Sequence, residues 1–221
     1  MQHGGHLPSS SSSGLGLTAW LTGIYFVVEF GIGLYTGSVS VMSDAFHTFS
    51  AVGGVLLAMV AARIARRPPT PERSFGYGRA EIIGALLNGV FLLLMAILVL
   101  WMGYHRLRTP IELPTTPMLV AAFGGIIVEL ISLRALYKSQ AHDLNVRGAF
   151  WHVLQTFVGS LIIIVAVIVI KLTGFLAIDP ILGMVFGVVL LAASWGIIRD
   201  ALVILIESSP EGVDLWGIAE T

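Results

Sequence analysis

The sequence predicts an all-α membrane protein of six transmembrane helices, and three observations carry that prediction. Of 221 residues, 56 % are apolar and only 11 % are charged, where a soluble domain carries roughly 25 % charged residues. The mean hydropathy is +0.91. Six segments each hold close to the ~20 apolar residues that a helix needs to cross a hydrocarbon core. A net charge of −1 gives no electrostatic footprint for nucleic acid, and the absence of cysteine excludes disulfides and thiolate metal sites.

The chain opens on a Ser/Gly tract, residues 1–16, with His3 and His6. It lacks the basic flank of a signal peptide and reads as a disordered cytoplasmic tail. Solvated tail histidines are the expectation for His3 and His6, since no helix fixes their spacing. The spans follow at 17–35, 39–64, 79–104, 117–136, 146–170 and 180–206. Thr36-Gly37, Pro68-Pro69, Pro110, Pro114, Gly174 and Pro210 fall between or after them, where breakers belong. The transmembrane domain is therefore 17–207. Residues 208–221 form a short cytoplasmic tail, too short for a folded domain.

Cationic residues set the orientation. Arg63, Arg66, Arg67, Arg73 and Arg79 flank the second-to-third connection, and Arg134, Lys138 and Arg147 the fourth-to-fifth. The opposite side has Arg106, Arg108 and Lys171. Both termini and the basic loops are expected in the cytoplasm, in a multi-pass protein of a bacterial inner or plasma membrane. Trp20, Trp101 and Tyr104 lie near span ends, as interfacial aromatics do.

Ionisable groups inside spans are costly unless they face a cavity, a partner or an ion. Asp44 and His47, spaced i and i+3, share one face of the second helix, with Ser40, Ser43 and Ser50 nearby. His152 lies in the fifth helix, followed by Gln155 and Thr156. Glu129 sits mid-span in the fourth helix, Glu29 in the first, and Glu81 and Asn88 in the third. Imidazole with carboxylate oxygens suits Zn²⁺ and accommodates Fe²⁺, Mn²⁺ or Cd²⁺. The candidate ligands are His47, His152, Glu129 and Asp44. The structural alternatives are a histidine as interhelical strut, Asp44 bracing the start of its helix, and Glu129 paired with Arg134. Glu29 reads as a proton or water contact, Glu81 as a salt-bridge partner of Arg79 and Arg73, and Asp179 as the N-cap of the sixth helix. Gly53-Gly54, Gly84, Gly89, Gly124-Gly125, Gly183 and Gly187 mark close helix packing.

Several motifs, in order along nearly the whole chain, resemble the cation diffusion facilitator family, most closely its zinc-transporter subfamily. They are Thr22-Gly-Ile-Tyr-Phe-Val-Val-Glu29 in the first helix and Gly37-Ser-Val-Ser-Val-Met-Ser-Asp-Ala-Phe-His47 in the second. Ser74-Phe-Gly-Tyr-Gly-Arg-Ala-Glu-Ile-Ile-Gly-Ala-Leu-Leu-Asn-Gly89 opens the third, and Asn145-Val-Arg-Gly-Ala-Phe-Trp-His-Val-Leu154 lies in the fifth. Asp179-Pro180-Ile181 and 207–214 bracket the sixth. The resemblance implies a six-helix, proton-coupled exporter that forms a homodimer, here through its membrane helices. It also implies metal ligands at His47 and His152, each followed four residues later by aspartate. Ala51 and Thr156 stand at those second positions instead. Glu129 occupies a position that is usually a neutral amide in similar proteins, and Gln155 one that is commonly glycine. A displaced site of His47, His152 and Glu129, with Asp44 or Gln155, is the expectation. The family usually carries a cytoplasmic C-terminal domain after the sixth helix. This chain stops at Thr221, so a short form is expected.

The function expected is alternating-access efflux of a divalent transition-metal cation, most simply Zn²⁺, in exchange for protons. The ion is substrate, and no cofactor is implied. Imidazole suits such exchange because it must lose its proton to bind metal and its unperturbed pKa is about 6.5. The alternative is a transport-silent paralogue acting as a partner in a heteromer, motivated by Ala51 and Thr156. Enzymatic chemistry is not expected, since the chain shows no HExxH-type pair and no evident nucleophile.

Overall fold

A computed structural model of the chain describes residues 9–68, 70, 76–137, 140 and 144–206. Six α-helices follow one another: α1 (Ser9–Thr36), α2 (Val39–Ala65), α3 (Arg79–Arg108), α4 (Thr115–Leu136), α5 (Leu144–Thr173) and α6 (Ile178–Leu205). Each contains a segment long and apolar enough to cross a membrane. The chain is an all-helical, multi-pass membrane protein, as its hydropathy predicts. α1 begins at Ser9, inside the tract read from sequence as a tail. Only the part from Leu15 onward is apolar enough to span. Residues 1–8 and 207–221 lie outside the described residues.

The polarity of the bundle is inverted relative to a soluble protein. Trp20, Leu172 and Trp195 face outward, while Glu29, Asp44, Glu129 and Asp179 are buried. Trp101 and Tyr104 are exposed near the end of α3, where interfacial anchors sit.

α1, α2, α4 and α5 form a four-helix unit in which α4 packs on α5 and α1, and α2 on α1 and α5. α3 and α6 pair closely with each other and lie against α2. α2 is thus the shared element of both units. One apolar cluster of the four-helix unit is built on Met118, Ala122, Ile163 and Val167. Between α3 and α6, Leu92, Ala96 and Leu190 form another.

Only Gly37 and Ser38 separate α1 from α2. Gly37 adopts φ 64°, a left-handed conformation that glycine takes without steric cost, and its N–H donates to Gly33 O at 2.9 Å. The Arg106 guanidinium of α3 donates to the Gly37 carbonyl at 2.7 Å. Ser38 caps α2, its hydroxyl accepting from Val41 N.

The most consequential cap crosses the bundle. Asp179, in the first turn of α6, turns its carboxylate onto the start of α2. Its Oδ1 accepts from Ser38 Oγ at 2.6 Å and from Ser40 Oγ at 2.5 Å, and its Oδ2 from Val39 N at 2.8 Å. Asp179 therefore does not cap its own helix, as its place before Pro180 led us to expect; the N-cap of α6 is Ala177, without a side-chain bond. The carboxylate instead satisfies N–H groups that any helix start leaves orphaned, and it complements the α2 dipole. The close approach requires Gly183, since a Cβ there would lie 2.7 Å from the Val39 carbonyl carbon.

Candidate metal centre

Helical periodicity brings four polar stripes to the interior of the four-helix unit. α2 contributes Ser40, Ser43, Asp44 and Thr48, all buried, with half-buried His47 beside them. α5 contributes His152, Thr156 and Ser160, spaced four apart on one face. α4 contributes Glu129 and Ser132, and α1 contributes Tyr25 and Glu29, again one turn apart.

The two imidazoles meet. The ring centroids of His47 and His152 are 4.6 Å apart with planes tilted 33°. Both His47 nitrogens and His152 Nε2 are buried without a hydrogen-bond partner. The interhelical-strut reading requires such partners. Two imidazoles on one tetrahedral Zn²⁺, each with Zn–N of about 2.0–2.1 Å, have centroids about 5 Å apart. The observed separation is close to that distance. Phe186 of α6 stands edge-on against His47 at 5.5 Å and supports its ring.

The carboxyl groups are placed around this pair. Glu129 is 3 % exposed. Its Oε1 accepts from Ser160 Oγ at 3.1 Å, and its Oε2 has no partner. The pairing with Arg134 is not formed here, because the Glu129 side chain turns across to α5. Glu129 and His152 line one small cavity together with Thr48, Ser132 and Tyr25. Asp44 is buried with both oxygens unpartnered. It does not brace the α2 start, a role taken by Asp179. It lies beside Glu29 and packs so tightly on α5 that a Cβ at Gly159 would lie 2.1 Å from Asp44 Oδ1. Asp44 lines a second crevice with Ser40 and Phe186.

The structure thus joins His47 to His152 and Glu129 to His152, and sets Asp44 in the neighbouring crevice. Among the described residues, no three His, Asp or Glu side chains surround one point as a ready ligand shell. Gln155 is exposed, off the inward stripe of His152, Thr156 and Ser160. Thr156 is buried, but its hydroxyl donates to Val153 O of its own helix at 2.8 Å. The side chain of Ala51 lies outside the described residues.

Glu29 was not among the expected ligands. It is fully buried; its Oε1 accepts from Tyr25 Oη at 3.0 Å and its Oε2 is unpartnered. The Tyr25 hydroxyl also reaches Ala121 O of α4 at 3.1 Å. The signal was present in sequence as a tyrosine and a glutamate four apart in an apolar helix. Buried charge of this kind at bilayer depth is offset by an ion or a proton.

Residues 16–206 match the cation efflux transmembrane domain family. The chain is 35 % identical over 208 residues to the cation efflux system protein CzcD of Alcaligenes sp. (strain CT14), covering 94 % of this chain and 66 % of that protein. It is 32 % identical over 212 residues to the zinc transporter ZitB of Escherichia coli (strain K12), covering 95 % and 68 %. It is 30 % identical over 199 residues to the cadmium, cobalt and zinc/H(+)-K(+) antiporter of Bacillus subtilis (strain 168), covering 89 % and 64 %. The chain spans about two thirds of the length of these relatives.

Proposed function

Because the chain belongs to the cation efflux transmembrane domain family, we propose that it exports a divalent transition-metal cation from the cytoplasm in exchange for protons. Zn²⁺ is the first substrate to test, with Cd²⁺, Fe²⁺ and Mn²⁺ beside it. His47 and His152 supply nitrogen, Glu129 supplies the nearest carboxylate, and Asp44 supplies oxygen as the helices move. The chain is a transporter rather than an enzyme, its termini are cytoplasmic, and it works as a homodimer through its membrane helices. One observation carries the reading: two half-buried imidazoles from different helices, their ring centroids 4.6 Å apart, with three buried ring nitrogens unpartnered.

Metal entering from the cytoplasm binds deprotonated imidazole and carboxylate, so binding releases protons. Rocking of the helices then opens the site outward, where protonation of imidazole, whose charge changes near neutral pH, expels the ion. The test is zinc uptake into inside-out vesicles under an imposed pH gradient. His152→Ala and Glu129→Gln are expected to abolish uptake. Wild-type uptake by either variant rejects the site, and flux indifferent to the gradient rejects the coupling.

A second reading, a transport-silent partner in a heteromer, draws on Thr156, whose hydroxyl is committed to its own helix. Purified chain that binds no zinc yet co-purifies with an active relative favours it.

A further inference from the structure

The C-terminal half of α2 presents a face that the described bundle leaves uncovered. Leu56, Met59 and Val60 are 55 %, 56 % and 59 % exposed, and Arg63, one turn on, is exposed as well. At 3.6 residues per turn these four fall within about 100° of the helix circumference. Arg66 and Arg67, also exposed, continue the last turn: their N–H groups donate to Ala62 O at 3.2 Å and Ile64 O at 3.0 Å. Leu56 lies about 10 Å along the axis from Arg63, within the ~15 Å of hydrocarbon that one leaflet supplies. Arginines at the other end of the bundle are committed within the protein. Arg106 donates to the Gly37 carbonyl, and Arg108 lies over the Tyr104 ring at 4.7 Å. Among the described residues, the guanidinium groups of Arg63, Arg66 and Arg67 have no such partner. Orientation by loop charge requires only that arginines lie on one side of the membrane. It does not gather three of them at the end of an exposed apolar strip.

A guanidinium matches phosphate oxygens with a two-pronged hydrogen bond, and basic groups at the end of a span attract anionic head groups. We propose that this face of α2 is a binding site for an anionic phospholipid, its phosphate held by Arg63, Arg66 and Arg67 and its acyl chain laid along Leu56, Met59 and Val60. A soluble anion gives the apolar strip nothing to bind, and a zwitterionic head group brings a cation of its own against the arginines. The inference rests on the membrane-spanning fold and not on the transport reading. α2 packs on α1, α3, α5 and α6, so the lipid seats on the helix that both units share.

The chain has no cysteine, so Val60→Cys carries a bimane fluorophore at one defined place. The labelled full chain is reconstituted in phosphatidylcholine nanodiscs with a rising fraction of brominated phosphatidylglycerol or brominated phosphatidylcholine, and quenching is followed. Brominated phosphatidylglycerol is expected to quench at the lower mole fraction. Arg63→Gln and Arg67→Gln are each expected to raise that fraction about fivefold, whereas Arg63→Lys, which keeps the charge, is expected to retain most of the preference. A label at Leu94→Cys, on an exposed position of α3, is expected to show no preference between the two lipids. Equal quenching by both lipids at Val60→Cys overturns the proposal, as does an unchanged preference in both glutamine variants. The same preference at Leu94→Cys overturns it in favour of a general enrichment of anionic lipid around the protein. Displacement by millimolar inorganic phosphate overturns it in favour of a soluble anion. Each of these results leaves the zinc-uptake test of the transport reading untouched.

Discussion

Replacing Asp179 by alanine removes the carboxylate that joins α6 to the start of α2. Two backbone donors, Val39 N–H at 2.8 Å and Ser40 N–H at 3.3 Å, lose their acceptor. The Ser38 and Ser40 hydroxyls, 3.2 Å apart, can still bond to each other. Ser38 keeps its own capping bond to Val41 N. The loss is therefore dominated by the two N–H groups, each costing about 1–3 kcal/mol when buried and unpaired, for a total near 3 kcal/mol. Asp179→Asn retains one acceptor oxygen and is expected to cost about half as much. Ser40→Ala removes one charge-assisted bond, and a double-mutant cycle with Asp179→Ala should give a coupling of about 1.5–3 kcal/mol. The assay is reversible unfolding in mixed detergent–SDS micelles, followed by far-ultraviolet circular dichroism. If Asp179→Ala stays within about 0.5 kcal/mol of wild type, or its coupling to Ser40 vanishes, the carboxylate is not what fastens these helices and the reasoning fails.

Gly159→Ala places a methyl 2.1 Å from Asp44 Oδ1 and 2.6 Å from its Cγ. The overpacking should destabilise the chain by about 1–3 kcal/mol and depress metal uptake, which the same unfolding assay and vesicle flux measure. Tyr25→Phe deletes the hydroxyl that reaches Glu29 and Ala121, and should lower unfolding free energy by about 0.5–1.5 kcal/mol. Gln155→Ala changes an exposed side chain, so zinc uptake should match wild type. A loss of uptake there would return Gln155 to the ligand set.

The spans were legible because membrane crossing imposes both length and apolarity. The predicted segment 39–64 became Val39–Ala65, and 117–136 became Thr115–Leu136. The positive φ at Gly37 likewise follows from a two-residue connection between long helices. What periodicity can reveal is the face a residue occupies, and it placed Asp44 and His47 on the inner side of α2. It cannot reveal which distant group that face meets. Asp179 looked like a local cap, yet its partners lie some 140 residues earlier in the chain. Gln155 and Thr156 are adjacent and both polar, but one residue of helix turns the first outward and the second inward. The pairing of Glu129 with Ser160, and the seat that Gly159 makes for Asp44, depend on how α4, α2 and α5 pack, which no single-helix pattern encodes.

Arg106 holding the Gly37 carbonyl and Asp179 holding Ser38 to Ser40 fall within four consecutive residues. That short stretch gathers α1, α2, α3 and α6 into one knot at the face where α2 begins. In the proposed export cycle, a motion that admits an ion from the opposite face would leave the knot tied, and exit through the knotted face would exchange its bonds for contacts with water. Under that cycle, these bonds close the bundle on that side, and their strength would set how often it opens there.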